Sequence, residues 1–176
     1  VTIAEISSFQ LETADTFHPK VSMILNITPD HLDRHHTMEN YIAAKESITR
    51  NQTEEDTVIL NYEDPVLKGF GERLKVPVVF FSSQRRLSSG LFYQDGMIYT
   101  AEDGREEPLL KVSEMQILGL HNYENAMAAA AAVDGLHLNQ IVGSIAGDDT
   151  IFCVVKEKPM VEDVIEQIDI IRKGTA

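Results

Sequence analysis

The sequence predicts an α/β fold: a mostly parallel sheet with flanking helices, a small antiparallel β extension and a C-terminal βα unit. Two observations predict it. Runs rich in β-branched and aromatic residues at 1–6, 21–27, 57–60 and 76–81 alternate with helix signals, the pattern of βαβ units. From Gly90 onward the apolar runs crowd together around Asp-Gly pairs, which favour tight turns between antiparallel strands.

Taken in order, the first run leads into Glu5-Ile6-Ser7-Ser8-Phe9-Gln10-Leu11-Glu12, and the second into Asn26-Ile27-Thr28-Pro29-Asp30-His31-Leu32-Asp33. A helix is expected over 38–50, entered through Thr37 as its N-cap. A second follows the strand at 57–60 and covers 65–74, with Asp64 as cap and Pro65 at its first position. Leu91-Phe92-Tyr93 and Met97-Ile98-Tyr99-Thr100 flank Asp95-Gly96, and a second pair, Asp103-Gly104, precedes the apolar run 109–112. Gly119-Leu120-His121-Asn122-Tyr123-Glu124-Asn125 is followed by an alanine-rich helix to about residue 133. The remainder reads as the segment 141–146, the loop Gly147-Asp148-Asp149-Thr150, a strand at 151–155, then an amphipathic helix over 160–172. In it Val161, Val164, Ile165, Ile168 and Ile171 fall on one face. Two units are expected: 1–133, and a tail of 134–176.

A chain of 176 residues can bury a real core, and 43% hydrophobic with 24% charged residues is ordinary globular composition. The formal net charge of -13 argues against a nucleic-acid binder, because phosphate backbones reward basic surfaces. A local nucleotide site is still compatible with it. The single cysteine, Cys153, sits in an apolar run and reads as inert core, excludes an internal disulfide framework, and fits a reducing cytoplasm. No apolar run approaches the length of a membrane span, and no signal peptide is evident. The opening, Val1-Thr2-Ile3-Ala4-Glu5, reads as the middle of a strand and suggests a piece of a longer protein.

The chemistry-bearing residues lie where strands end. Glu5 after one run and Asp30-His31 after another would present hard oxygen and imidazole donors to a metal. Magnesium beside nucleotide phosphates takes one or two such ligands and keeps several waters, so the pair suggests phosphoryl chemistry. Glu5 at a strand end and Asp30, Asp33 and Arg34 as solvated helix caps are the plainer alternatives, with His31 as a capping or surface histidine. Lys45 shares a helical face with Tyr41, Ala44 and Ile48. It either snorkels or is a functional lysine whose burial favours the neutral amine, which carbon dioxide can convert to a metal-binding carbamate. Asn122 and Asn125, one turn apart, could present amides to a base edge, or Asn122 could cap the helix. No Gly-x-x-x-x-Gly-Lys-[Ser/Thr] phosphate cradle is present in the sequence.

At these residues the chain resembles the Mur ligases, ATP-dependent amide-forming enzymes of peptidoglycan synthesis. The resemblance covers roughly 1–130 and rests on five ordered motifs. They are Glu5-Ile-Ser-Ser-Phe-Gln-Leu11, Leu25-Asn-Ile-Thr-Pro-Asp-His-Leu-Asp-Arg34, Tyr41-Ile-Ala-Ala-Lys45, Leu60-Asn-Tyr-Glu-Asp-Pro65 and Gly119-Leu-His-Asn-Tyr-Glu-Asn125. The first is closest to the branch that adds D-glutamate to UDP-N-acetylmuramoyl-L-alanine. The resemblance implies a central ATP-binding domain in which Glu5 and His31 ligate Mg2+ and a carbamylated Lys45 supports it. It places Ser7 and Asp30 near the UDP-sugar peptide substrate, and Asn122 and Asn125 on adenine. It also implies a carboxylate activated by ATP as an acyl phosphate and then attacked by an amine, with metal and lysine charge stabilising the transferred phosphoryl group. Without a phosphate cradle, the isolated chain is expected to be inactive.

The tail resembles a different family. Ile141-Val-Gly-Ser-Ile-Ala-Gly-Asp-Asp-Thr-Ile-Phe152 is similar to the end of the oligomerisation domain of bacterial arginine repressors. There, paired aspartates at the positions of Asp148 and Asp149 meet the arginine effector. The alternative expectation is therefore a non-catalytic chimera or interaction protein, assembling as a homotrimer or hexamer through this tail.

Overall fold

The computed structural model describes the backbone of residues 4–135, 141–147 and 150–155, and the side chains of 4–135. Six strands form one sheet in the order β1 (Val21–Ile24), β2 (Thr57–Asn61), β3 (Val78–Ser82), β4 (Gly90–Gln94), β5 (Met97–Glu102) and β6 (Arg105–Lys111). The first four are mutually parallel, and β4, β5 and β6 continue as an antiparallel meander. The expected extension is thus the same sheet carried further. A separate antiparallel pair, β7 (Ile141–Gly147) and β8 (Thr150–Val155), follows. Asp148, Asp149 and the expected helix at 160–172 lie outside the described residues.

Alternation along β2 explains the layers. Ile59 points to one face, where α5 (Leu120–Gly135) packs Met127, Ala128 and Ala131 against it with Phe81 and Ile98. Val58 and Leu60 point to the other, onto Leu67 and Phe70 of α4 (Pro65–Gly71) and Tyr41 of α3 (Met38–Glu46). Both faces are covered, so β2 reads as a nearly continuous apolar run. The alanines let α5 lie close to the sheet. Helix entry follows the sequence: Thr37 accepts from the Asn40 amide at 3.2 Å, and Asp64 accepts from Val66 at 2.9 Å and Leu67 at 3.2 Å.

The antiparallel turns are built as their residues require. Asp95 and Gly96 have φ of 49° and 82°, and Asp103 and Gly104 have 50° and 80°, the paired positive φ of type I′ turns. Gly90, with φ of 116°, brings β4 so close to β3 that a Cβ would stand 2.1 Å from the Phe80 carbonyl oxygen. Pro108 and the charged residues of β6 sit at the sheet edge, where a missing amide donor is tolerated and charge discourages edge pairing.

Two expectations need correction. Residues 4–6 form no strand; the Ser7 cap turns the chain directly into α1 (Ser8–Leu11), and residues 1–3 lie outside the described residues. The alanine-rich helix begins at Leu120, ahead of both candidate asparagines, because Gly119 at φ 116° supplies the reversal that starts it. Among the described residues no helix is long and apolar enough to cross a membrane.

Candidate functional site

Parallel strands leave their carboxyl ends on one edge of the sheet, and open α/β folds bind ligands there. Ser7, Asp30, His31 and Lys45 stand near the exit of β1 on this edge, and Asn122 and Asn125 near the exit of β3. After β1 the chain runs through Asn26 and Asp30 to α2 (Leu32–His35). After β2 come Tyr62, Glu63 and Asp64, and after β3 the Ser83 hydroxyl donates to Glu124 at 2.5 Å and so holds the start of α5.

His31 precedes α2 in the left-handed region, φ 50° and ψ 32°, and makes no side-chain cap. That conformation costs an L-residue about 1–2 kcal/mol, and such outliers concentrate where geometry is set by function. Asp30 offsets part of it: one carboxylate oxygen accepts from the His31 amide at 2.8 Å, and the other lies 3.4 Å from Nε2. The imidazole and carboxylate are about half exposed, at 51% and 62%, and remain accessible to solute. Of the two plain expectations for His31, capping is not met and the surface position is, in an outward-facing pair with Asp30.

Ser7 caps α1 in a capping box. Its backbone amide donates to Gln10 Oε1 at 2.9 Å, and the Gln10 amide donates to Ser7 Oγ at 3.3 Å. The Phe9 ring that follows lies 4.8 Å from the His31 ring, so the Ser7 segment sits beside the Asp30-His31 turn. Glu5 is exposed and makes no hydrogen bond or ion pair among the described residues. Lys45 snorkels: its stem is half-buried, Nζ lies 5.0 Å from the Tyr41 ring centroid, and it donates a long 3.4 Å hydrogen bond to the Asn26 carbonyl. Its amine thus reaches the exit of β1 without meeting a carboxylate among the described residues.

Asn122 and Asn125 lie three residues apart in α5, on one face and half-buried. Asn122 does not cap the helix, since Nδ2 donates to the Leu118 carbonyl at 2.9 Å from inside the first turn. Its amide oxygen and the Asn125 side chain remain able to meet a planar donor–acceptor edge.

Sequence reasoning missed two groups here, Glu63 and His35, and half the role of a third, Asp64. Asp64 caps α4 and also accepts from the Ile27 amide at 2.7 Å, fixing the chain that leads from β1 to Asp30. Glu63 accepts from Ser82 at 2.5 Å and from Arg85 at 2.9 and 2.7 Å. Burial raises its pKa, but the bonds from Arg85 and Ser82 outweigh that and hold the carboxyl below its usual value. His35 is buried, with Nε2 2.9 Å from Ser8 Oγ and Nδ1 3.3 Å from Glu12. The Asp64-Pro65 cap signal marked Asp64; no periodicity marks the other two.

Among the described residues, no three His, Cys, Asp or Glu side chains converge into a preformed metal cage. Magnesium does not require one, and the accessible Asp30 oxygen and His31 nitrogen suit a cation whose other positions are filled by water and phosphate.

Residues 1–133 match the Mur ligase middle domain, three quarters of the chain. The chain belongs to the Mur ligase family. Among curated relatives it is 58% identical over 129 residues to the UDP-N-acetylmuramoylalanine--D-glutamate ligase of Lachnoclostridium phytofermentans, covering 73% of this chain and 28% of that protein. It is 47% identical over 167 residues to the ligase of the same name from Lachnospira eligens, covering 95% of this chain and 35% of that one. The chain spans about a third of the length of these relatives. Solved Mur-type structures share the fold at low identity. A pseudomurein peptide ligase type C from Methanothermus fervidus aligns with TM-score 0.55 at 18% identity, over 76% of this chain and 34% of its own. The MurF ligase of Thermotoga maritima, solved in complex with ADP, aligns with TM-score 0.52 at 17% identity, over 86% and 38%. Residues 122–169 also match the arginine repressor C-terminal domain. The two family matches overlap inside α5, and the Lachnospira alignment spans most of the tail as well.

Proposed function

We propose that this chain is the nucleotide-binding middle part of a ligase that joins D-glutamate to UDP-N-acetylmuramoyl-L-alanine, using ATP and Mg2+. The observation that carries the reading is the 58% identity to a D-glutamate ligase, set beside the family match over 1–133 that contains every candidate residue of the carboxyl edge. Asn122 and Asn125 would hold adenine. Asp30 and His31 would hold Mg2+ against the phosphates, with Glu5 supplementing them and Lys45, as the carbamate or as the amine, lending charge beside Asn26. Ser7 would face the UDP-sugar peptide. The metal would neutralise charge on the transferred phosphoryl group; the chain's residues would orient the nucleotide at the strand ends.

The test is calorimetric titration of ATP, with Mg2+ present or omitted, into the chain and into an Asn122→Ala/Asn125→Ala double variant. Metal-dependent binding that the double variant loses supports the reading. Equal binding to both proteins, or none to the parent chain, refutes the nucleotide site.

A second reading concerns the tail, favoured by the repressor-domain match over 122–169. In it the unit at 134–176 drives assembly into trimers or hexamers, with Asp148 and Asp149 at the effector position. Native mass spectrometry distinguishes the two: multiples of three favour an assembly tail, and a monomer removes that role.

A further inference from the structure

We propose that His35 is the positioning residue of this edge, joining the segment that bears Ser7 to a row of side chains running from His31 to Lys45. The inference rests on the reading of His31 and Lys45 as parts of a divalent-metal site, and goes further by naming what fixes their relation. The row is continuous. The His31 ring lies 4.8 Å from Phe9, Phe9 stacks on His35 at 5.3 Å and 19°, His35 lies 5.3 Å from Tyr41, and Lys45 Nζ lies 5.0 Å from the Tyr41 centroid. Its two ends are candidate groups from different elements, and His35 stands in the middle, 4% exposed.

Two polar contacts fix the ring's orientation: Nδ1 lies 3.3 Å from the Glu12 carboxylate, and Nε2 is hydrogen-bonded to the Ser8 hydroxyl at 2.9 Å. Arg34 donates to the same Glu12 at 2.8 Å and covers Phe9 with its guanidinium 4.7 Å from the centroid. Asn40 donates to the His35 carbonyl at 2.9 Å, tying α2 to the first turn of α3. Three short elements, α1, α2 and α3, are thereby clamped at one buried imidazole. Short helices of four residues hold no position by themselves, so the clamp sets where Ser7 and His31 stand relative to Lys45 on the nine-residue α3. Supporting hydrogen bonds of this kind orient metal ligands and are worth about 10–100-fold in affinity.

His35→Phe keeps a ring and removes both the Ser8 hydrogen bond and the Glu12 contact. His35→Gln removes the ring but still offers a donor toward Glu12 and an acceptor toward Ser8. Ser8→Ala breaks one bond alone and serves if His35→Phe fails to fold. The readout is paramagnetic broadening by Mn2+ of the Ser7, His31 and Lys45 amides, measured where each variant is fully folded, so that ions held elsewhere on an acidic surface do not count. Broadening in the parent chain that His31→Ala abolishes is expected. His35→Phe and Ser8→Ala should then need about tenfold more Mn2+, with His35→Gln recovering most of the difference. If both bind as tightly as the parent while His31→Ala does not, His35 is only a core residue and the metal reading stands. If the parent shows no broadening, or His31→Ala changes nothing, the metal reading fails and the positioning role falls with it.

Discussion

The two edges of the parallel sheet use the same side-chain types to opposite ends. At the amino edge, Asp56 is 4% exposed and its carboxylate is saturated. His18 Nε2 and the Thr53 amide lie at 2.7 Å, the Thr53 hydroxyl donates at 3.0 Å, and Lys20 lies 3.3 Å from the other oxygen. Beside it, buried Gln52 accepts from Ser22 at 2.7 Å and donates to the Pro19 and Thr57 carbonyls at 3.1 and 3.2 Å. At the carboxyl edge, Asp30 and His31 are half exposed, His31 adopts a backbone conformation unfavourable to it, and Glu5 projects without a described partner. A carboxylate fully engaged with its own chain has no capacity left for a ligand. The amino edge therefore stabilises, and the carboxyl edge keeps Glu5, Asp30 and His31 available beside the engaged Glu63 and Asp64.

The largest expected effect follows at the amino edge. Asp56→Ala removes an acceptor from several donors and should cost about 2–3 kcal/mol in urea unfolding. A loss below about 0.5 kcal/mol would mean that the network is not what holds β1 and β2 at their start. The same group gives a pH dependence. Burial raises the Asp56 pKa, yet hydrogen bonds from His18, Thr53 and Lys20 outweigh it and hold the carboxyl well below the usual carboxylate range. In acid the unfolded chain binds this proton first, so stability rises with pH there. The contribution is complete above about pH 4, the ordinary carboxyl value, and is lost as pH falls below it. Asp56→Asn should flatten that acid limb in urea titrations, and an unchanged limb would assign it to other carboxylates.

Smaller effects should mark the carboxyl edge. Asn122→Ala loses one hydrogen bond to Leu118 and should cost about 1 kcal/mol or less, while ATP affinity in calorimetry falls about tenfold. His31→Ala should change unfolding free energy by less than about 0.5 kcal/mol, because a half-exposed side chain without a cap contributes little. A costly His31→Ala would break the comparison, since it would make that residue structural after all.

Much of this arrangement was legible beforehand. Thr37 and Asp64 announced helix starts through side-chain oxygens, and Asp95-Gly96 announced a turn that needs positive φ; both are local rules, and both hold. The alternation of strand and helix signals gave the parallel sheet, and ordered motifs gave the family. What could not be read depends on contacts distant in sequence. Residues 4–6, the described end of the strand expected at 1–6, have no ladder partner among the described residues, and β-propensity without a partner makes no strand. The meeting of Ser8 with His35, 27 residues away, leaves no period in the chain. The left-handed backbone of His31 has no residue signal either, because glycine, the usual marker, is not there.

The most direct test is an amide-resolved NMR titration of the chain with Mg2+ and ATP. Shifts at His31, Ser83, Asn122 and Asn125, with Gln52 and Asp56 unmoved, are the predicted result. Shifts confined to the amino edge, or none anywhere, would contradict the assignment of the carboxyl edge as the nucleotide site.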